Sequence, residues 1–298
     1  MTTNSRPIEI PAADGTILRG DLYLPPAESP DAPVPGIVMS HGFSATRMMG
    51  LPWFAQRFCE SGYAVALYDH RDIGTSGGSR RGHIDPWVQT RDMATVVRHL
   101  SRLDEVEASR LAVWGSSFSG GEAIVLGAMS DSVRAVVANA PFAGLGDLTD
   151  DEADVRFASM RAAFDDPDAD IGTSVLGPMA VVCERPDQPA FLPQPESAEW
   201  FLAVGPPTGW TNSFTLSLSS DPPFDPAACA SHLGGTALLM TVAAVDSVAS
   251  TSVALDTFAR ASEPKRLEMV AGHHFTAYEP PARETVAAVM IAFLDEFV

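Results

Sequence analysis

The chain is 298 residues long, 46% apolar, and carries 38 acidic against 19 basic residues, a formal charge of −19. That balance argues against nucleic acid, whose phosphates call for a clustered excess of Lys and Arg, and against anionic membrane surfaces. The apolar share suffices for a sheet buried on both faces, and a chain of this length is expected to form one α/β core with an insertion rather than two independent domains.

In chain order, strands and helices alternate as a parallel sheet covered on both faces requires. Gly15 to Tyr23 predicts an early antiparallel hairpin. Gly36 to Ser40 is an apolar strand that runs into His41-Gly42-Phe43-Ser44, a loop placed to give a backbone donor to an oxyanion. The Phe43 N–H is the candidate donor, and His41 is expected to order the loop; a plain strand-to-helix turn would explain Gly42 equally well. A helix over Leu51 to Ser61 and a strand over Ala64 to Tyr68 follow. That strand exits into Asp69-His70-Arg71-Asp72. A histidine between aspartates can suggest a metal, but no second ligand cluster at metal spacing accompanies it, so internal pairing of Asp69 or Arg71 in a structural loop is expected.

After a helix over Trp87 to Leu100, the strand Leu111 to Trp114 breaks sharply into Gly115-Ser116-Ser117-Phe118-Ser119-Gly120-Gly121. Small residues at such a break let strand and helix nearly touch, expose a serine Oγ above the sheet and leave the next N–H free, the layout of a nucleophile elbow. Two serines compete. Ser117 falls on the turn, whereas Ser119, standing where G-x-S-x-G has its second glycine, falls in the first turn of the helix over Phe118 to Gly127 with its hydroxyl available as a cap. Strand position favours Ser117. Both serines could also merely cap a helix, so partners elsewhere must decide.

Ala135 to Asn139 is the next strand, and the alternation then stops. Residues 142–233 are expected to be an inserted lid on a core of residues 1–141 and 234–298. Between Asp147 and Asp170 this segment holds nine acidic residues against Arg156 and Arg161, which reads as a solvated helix face. Trp200, Phe201, Trp210, Phe214 and Met179 are its candidates for lining a substrate pocket, although lid aromatics also pack lids onto bodies. Thr236 to Val242 resumes the sheet, and the loop after it carries Asp246. A helix over Ser250 to Ala261 and a strand over Arg266 to Val270 follow, then Gly272-His273-His274-Phe275, from which one histidine can reach the elbow. Nucleophile, acid and histidine thus occur in the order of an α/β hydrolase. The closing helix, Arg283 to Phe297, repeats Val286, Met290, Phe293 and Phe297 at helical spacing, the mark of packing onto the sheet.

On Ser40-His41-Gly42-Phe43, Tyr68-Asp69-His70-Arg71, Trp114-Gly115-Ser116-Ser117-Phe118 and Gly272-His273-His274-Phe275, the chain resembles the α/β-hydrolase superfamily. It is similar within it to bacterial dienelactone-hydrolase-like and acyl-esterase-like enzymes, including relatives in polyketide pathways. The resemblance implies an α/β-hydrolase fold with a mostly parallel sheet, Ser117 as nucleophile, Asp246 as acid, His274 as base, and an oxyanion hole from the Phe43 and Phe118 N–H groups. Asp147 is the next acid should Asp246 fail. Ser119 departs from the superfamily pattern.

The reading is of a serine hydrolase acting on a carboxylic ester or thioester of a small-molecule acyl substrate. Acyl transfer or cyclisation on the same triad, and ligand binding without turnover, are the alternatives. No cofactor and no metal are expected. Cys59, Cys183 and Cys229 are odd in number and widely spaced, which suits free thiols. No apolar run could span a bilayer, and Met1 to Pro7 lacks the form of a signal peptide, so a cytoplasmic location is expected. Nothing in the sequence fixes the oligomeric state, and a homodimer is compatible with it.

Overall fold

The computed structural model describes residues 4–25, 33–185 and 188–298. Met1 to Thr3, part of the stretch tested for a targeting signal, lie outside them. The chain opens with the hairpin β1 (Asn4–Pro11) and β2 (Ile17–Leu24), paired antiparallel. Strand β3 (Val34–Ser40) leads to helix α1 (Leu51–Glu60), and β4 (Ala64–Tyr68) to the short β5 (His83–Ile84) and helix α2 (Pro86–Leu100). Pro86 sits in the first turn of α2, and the Asp85 carboxylate accepts the N–H groups of Trp87 and Val88, which satisfies donors that a helix start leaves open. Strand β6 (Val106–Ser116) then meets helix α3 (Phe118–Met129), and β7 (Ala135–Asn139) follows.

Helix α4 (Asp150–Asp165) is opened by a Thr149–Glu152 capping box. Beyond it come β8 (Ser174–Val182), β9 (Ala190–Leu192), helix α5 (Pro195–Val204), β10 (Phe214–Leu218) and the single turn α6 (Pro226–Cys229). The chain closes with β11 (Ala237–Ala243), α7 (Thr251–Arg260), β12 (Lys265–Val270) and α8 (Ala282–Phe297).

Eight strands form one sheet in the order β1-β2-β4-β3-β6-β7-β11-β12, parallel from β4 onward and antiparallel at its hairpin edge. All residues of β4, β7 and β11 are buried, because helices cover both faces and leave no wet side for polar alternation. One face packs under α2 and α3, the other under α1 and α8, where Val286, Met290 and Phe293 are buried and Phe297 partly so. Each such side chain contributes roughly 1.5–3 kcal/mol by leaving water.

Residues 142–233 build two different things. Leu148, Ala153, Met160 and Ala163, in and just before α4, join the apolar cluster of α3 and α6, while the other face of α4 is exposed. A second sheet, in the order β5-β10-β8-β9, and α5 instead form a separate cluster with Phe275 and Ala45. Among the described residues no helix is long and apolar enough to cross a membrane.

Candidate active site

The chemistry-bearing residues gather where the parallel strands end. β6 runs straight into α3 through Ser117, whose backbone stands at φ 53°, ψ −116°. A non-glycine residue there carries strain of about 1–3 kcal/mol and persists only when its neighbours over-determine it. They do: the Ser117 N–H donates to Asn139 O at 2.8 Å, and Ser117 O accepts from the N–H groups of Gly120 and Phe142 at 2.9 and 2.8 Å. A Cβ on Gly115 would stand 1.9 Å from Ser119 O, so the close approach of strand and helix requires glycine. Ser117 is half-buried, with its hydroxyl toward a cavity.

Ser117 Oγ lies 2.9 Å from His274 Nε2, and His274 Nδ1 lies 2.7 Å from Asp246 Oδ2. The His274 and Asp246 side chains are only 4% and 3% exposed, which shields their interaction from water. Asp246 follows β11, and its Oδ1 accepts the N–H groups of Val248 and Ala249 at 2.9 and 2.8 Å, so the whole carboxylate is fixed. Because a carboxylate accepts, the imidazole proton belongs on Nδ1, leaving Nε2 to accept from the serine hydroxyl. His273 faces elsewhere: its N–H donates to Thr276 Oγ1 and its ring accepts from the Phe275 N–H.

Phe43 lies on the loop after β3 and lines the cavity, while Phe118 is the first residue of α3, so its N–H has no intrahelical acceptor. The Phe43 and Phe118 rings meet edge to face, and Gly42 is packed so tightly on the elbow that a Cβ there would stand 3.0 Å from Ser117 Cβ. His41 Nδ1 donates to Gly42 O at 3.0 Å, and Nε2 accepts the His70 N–H at 3.1 Å. Burial lowers the His41 pKa, in keeping with a neutral ring that orders the loop.

The cavity beside Ser117 is lined by Phe43, Met49, Leu192, Trp200, Phe201, Phe275 and Tyr278, and its free space is about 20 Å³, enough for about one water molecule. Trp200 stacks on Phe275 with ring centroids 4.9 Å apart, so α5 packs against the histidine loop beside the cavity. Helix α5 is in turn tied to the acid loop, since Gln194 Nε2 donates to Ser247 O at 2.8 Å and Ser247 Oγ bonds Glu196. Of the five aromatic and methionine candidates, Trp200 and Phe201 reach the cavity. Trp210 and Phe214 do not; they pack with Phe201 inside the small sheet's apolar cluster, because that sheet needs a core of its own. Met179 pairs with Phe214 across β8 and β10 and is likewise absent from the cavity wall. Asp147, the reserve acid, is exposed in a separate groove with Asp150, Asp154 and Asp256, and makes no contact with His274.

Ser119 is buried and does not cap α3; its hydroxyl bonds the His41 carbonyl and Glu122. Asp69 pairs with Arg47 and accepts from Thr75, and Arg71 pairs with Asp92 and Asp14, as a structural loop would. Two groups of residues were not foreseen. Tyr278 lines the cavity and bonds Ser116, which receives the Asn139 amide at 3.2 Å, and burial pushes the phenol up to about 12. Glu122, alone among apolar neighbours on α3, was the legible sign of a buried polar cluster, formed with Ser119, His70 and His41.

The sheet order, the elbow and the histidine loop define an α/β-hydrolase. The chain belongs to the X-Pro dipeptidyl-peptidase (S15) family, whose model matches residues 14–276. It is 30% identical over 286 residues, 93% of this chain and 90% of the relative, to the quorum-quenching protein AidA of Acinetobacter baumannii. To the polyketide transferase af380 of Aspergillus fumigatus it is 27% identical, with 98% of each chain covered. The crystal structure of the α/β hydrolase GrgF from Penicillium sp. sh18 superposes with a TM-score of 0.76 at 24% identity over 99% of both chains.

Proposed function

We propose that the protein is a serine hydrolase that cleaves an ester or thioester of an uncharged, apolar acyl group through an acyl-enzyme on Ser117. The observation that carries this reading is the series Asp246–His274–Ser117, bonded at 2.7 and 2.9 Å and ending on a strained serine at the mouth of an aromatic cavity. His274 Nε2 takes the Ser117 proton as Oγ attacks the acyl carbon. Asp246 holds the imidazole in the accepting tautomer and stabilises its charged form. The Phe43 and Phe118 N–H groups receive the oxyanion. His274 then returns the proton to the leaving group, and water, activated by the same base, releases the acid.

Substrate class follows from the wall. Phe43, Leu192, Trp200, Phe201 and Phe275 offer apolar surface, and among the described lining residues no carboxylate stands ready for a peptide's free ammonium. An acyl ester or thioester fits this wall better than the peptide substrate in the family's name. The second half of the insertion, β8 to β10 with α5, serves as the cap that selects the acyl group.

Acyl transfer is a second reading, favoured by the closeness of the cavity and by the full-length likeness to a polyketide transferase. One experiment separates the two. Aryl esters and acyl thioesters of increasing chain length are incubated with and without an added alcohol. Free acid as the sole product supports hydrolysis, the alkyl ester supports transfer, and turnover that survives in S117A contradicts both.

A further inference from the structure

Two residues past Ser117, the start of α3 carries a second group of titratable side chains that the acyl chemistry above does not use. Ser119 Oγ lies 2.5 Å from the His41 carbonyl oxygen, 2.7 Å from Glu122 Oε2 and 2.8 Å from His70 Nε2. The group is sealed: His41, His70 and Ser119 are each 1% exposed and Glu122 is 0% exposed. A hydroxyl has one proton to give. Two oxygens 2.5 Å apart need that proton between them, and a carbonyl only accepts, so Ser119 donates to His41 O. Its other two neighbours must then donate to Ser119 Oγ. His70 does so through Nε2–H; Glu122 does so only with its carboxyl protonated.

The surroundings agree with that proton arrangement. Burial pushes the Glu122 carboxyl up to about 8 although the Ser119 hydroxyl pulls it down, and Asp92 on α2 and Asp85 at the cap of that helix add to the rise; His70 Nε2 stands 3.4 Å from Glu122 Oε2. Arg71 gives its bonds to Asp92 and Asp14, and Arg156 pairs with Asp225 at the head of α6. Tyr68 on β4 keeps its proton, since burial raises its pKa well above the usual range. His70 is neutral, its pKa lowered first by burial and then by His41.

We propose that protonated Glu122 is a positioning residue: it holds Ser119, which holds the His41 carbonyl, and so aims the Phe43 N–H of the next loop residues at the oxyanion. The proposal rests on the serine-nucleophile reading. When Glu122 loses its proton, the carboxylate and His41 O compete for the single Ser119 hydrogen, and the loop loses its tie to the elbow.

The test is the rate at which a fluorophosphonate labels Ser117, followed from about pH 6 to about pH 10. In the wild type the rate falls above about pH 8 and levels off about tenfold lower once Glu122 is ionised. E122Q, whose amide still donates to Ser119, lacks that alkaline fall. S119A labels about tenfold more slowly at every pH and lacks it too, and it decides the matter if E122Q does not fold. The infrared difference between wild type and E122Q at neutral pH contains the carbonyl stretch of a protonated carboxyl. An equal alkaline fall in wild type and variants, no fall in the wild type, or no such infrared band overturns the proposal alone. Folded wild type that never labels at Ser117 overturns the serine reading and this proposal together.

Discussion

The passage from β6 into α3 carries two serines, Ser117 before the helix and Ser119 in its first turn, and each is grouped with a histidine and a carboxylate, yet the two sets differ in how they are wired. Around Ser117 the links are in series: Asp246 binds one imidazole nitrogen of His274, and the other nitrogen binds the serine. Around Ser119 they converge, because Glu122 Oε2 and His70 Nε2 both point at the same hydroxyl, and His70 Nδ1 has no partner among the described residues. A series can pass a proton from serine to imidazole while the carboxylate steadies the charge that forms. A convergent set has no such direction and only holds its serine still. Ser117 also sits on a strained backbone facing a cavity, and Ser119 on a relaxed helical one facing the interior. Residue types alone do not make a catalytic triad; the order of contacts and the access of the serine do.

Substitutions on the two sides should therefore differ most in size. S117A and H274A are expected to abolish acyl-enzyme formation, with turnover down by about 10⁴-fold or more, read from burst kinetics on an activated ester. D246N should keep the fold, read by circular dichroism, and lower kcat by up to about 10⁴-fold, because the imidazole loses its charge partner and its enforced tautomer. On the convergent side the effect on rate is smaller, and a pH-dependent effect on stability joins it. Folded Glu122 keeps its proton up to about pH 8, whereas the unfolded chain releases it near the ordinary 4.5. Its contribution to stability is complete below about 4.5 and is lost as pH rises to about 8, at about 1.4 kcal/mol per pH unit. Denaturant titrations across that window should show E122Q escaping this loss. H273A should be the mildest, within about threefold of wild-type kcat, since His273 bonds only Thr276 and the Phe275 N–H.

The series was readable from the sequence because each member follows closely on a strand. Apolar runs at Leu111 to Trp114, Thr236 to Val242 and Arg266 to Val270 set parallel neighbours, and whatever follows them gathers at one sheet edge. Periodicity also gave α8 and its buried face. Ser119, His41 and His70 were each noticed singly, but the convergent set was not read as a set because its members come from α3 and two loops whose spacing has no period; Glu122 amid apolar residues was the sign that could have joined them. Residues 142–233 were the least legible part. Strands β9 and β10 are short and β8 is exposed along much of its length, so alternation is weak, and the aromatic residues of this region divide between the small sheet's core and the cavity according to contacts no local pattern encodes. Trp210 and Phe214 went to the core, Trp200 and Phe201 to the cavity.

Ser117, not its neighbour two residues on, is the proposed nucleophile on which the whole reading turns. Reaction of the folded protein with a fluorophosphonate, followed by peptide mass mapping beside the S117A variant, tests it directly. A single adduct on Ser117, absent from S117A, is the expected result; an adduct on Ser119, or none on folded wild-type protein, would contradict the assignment.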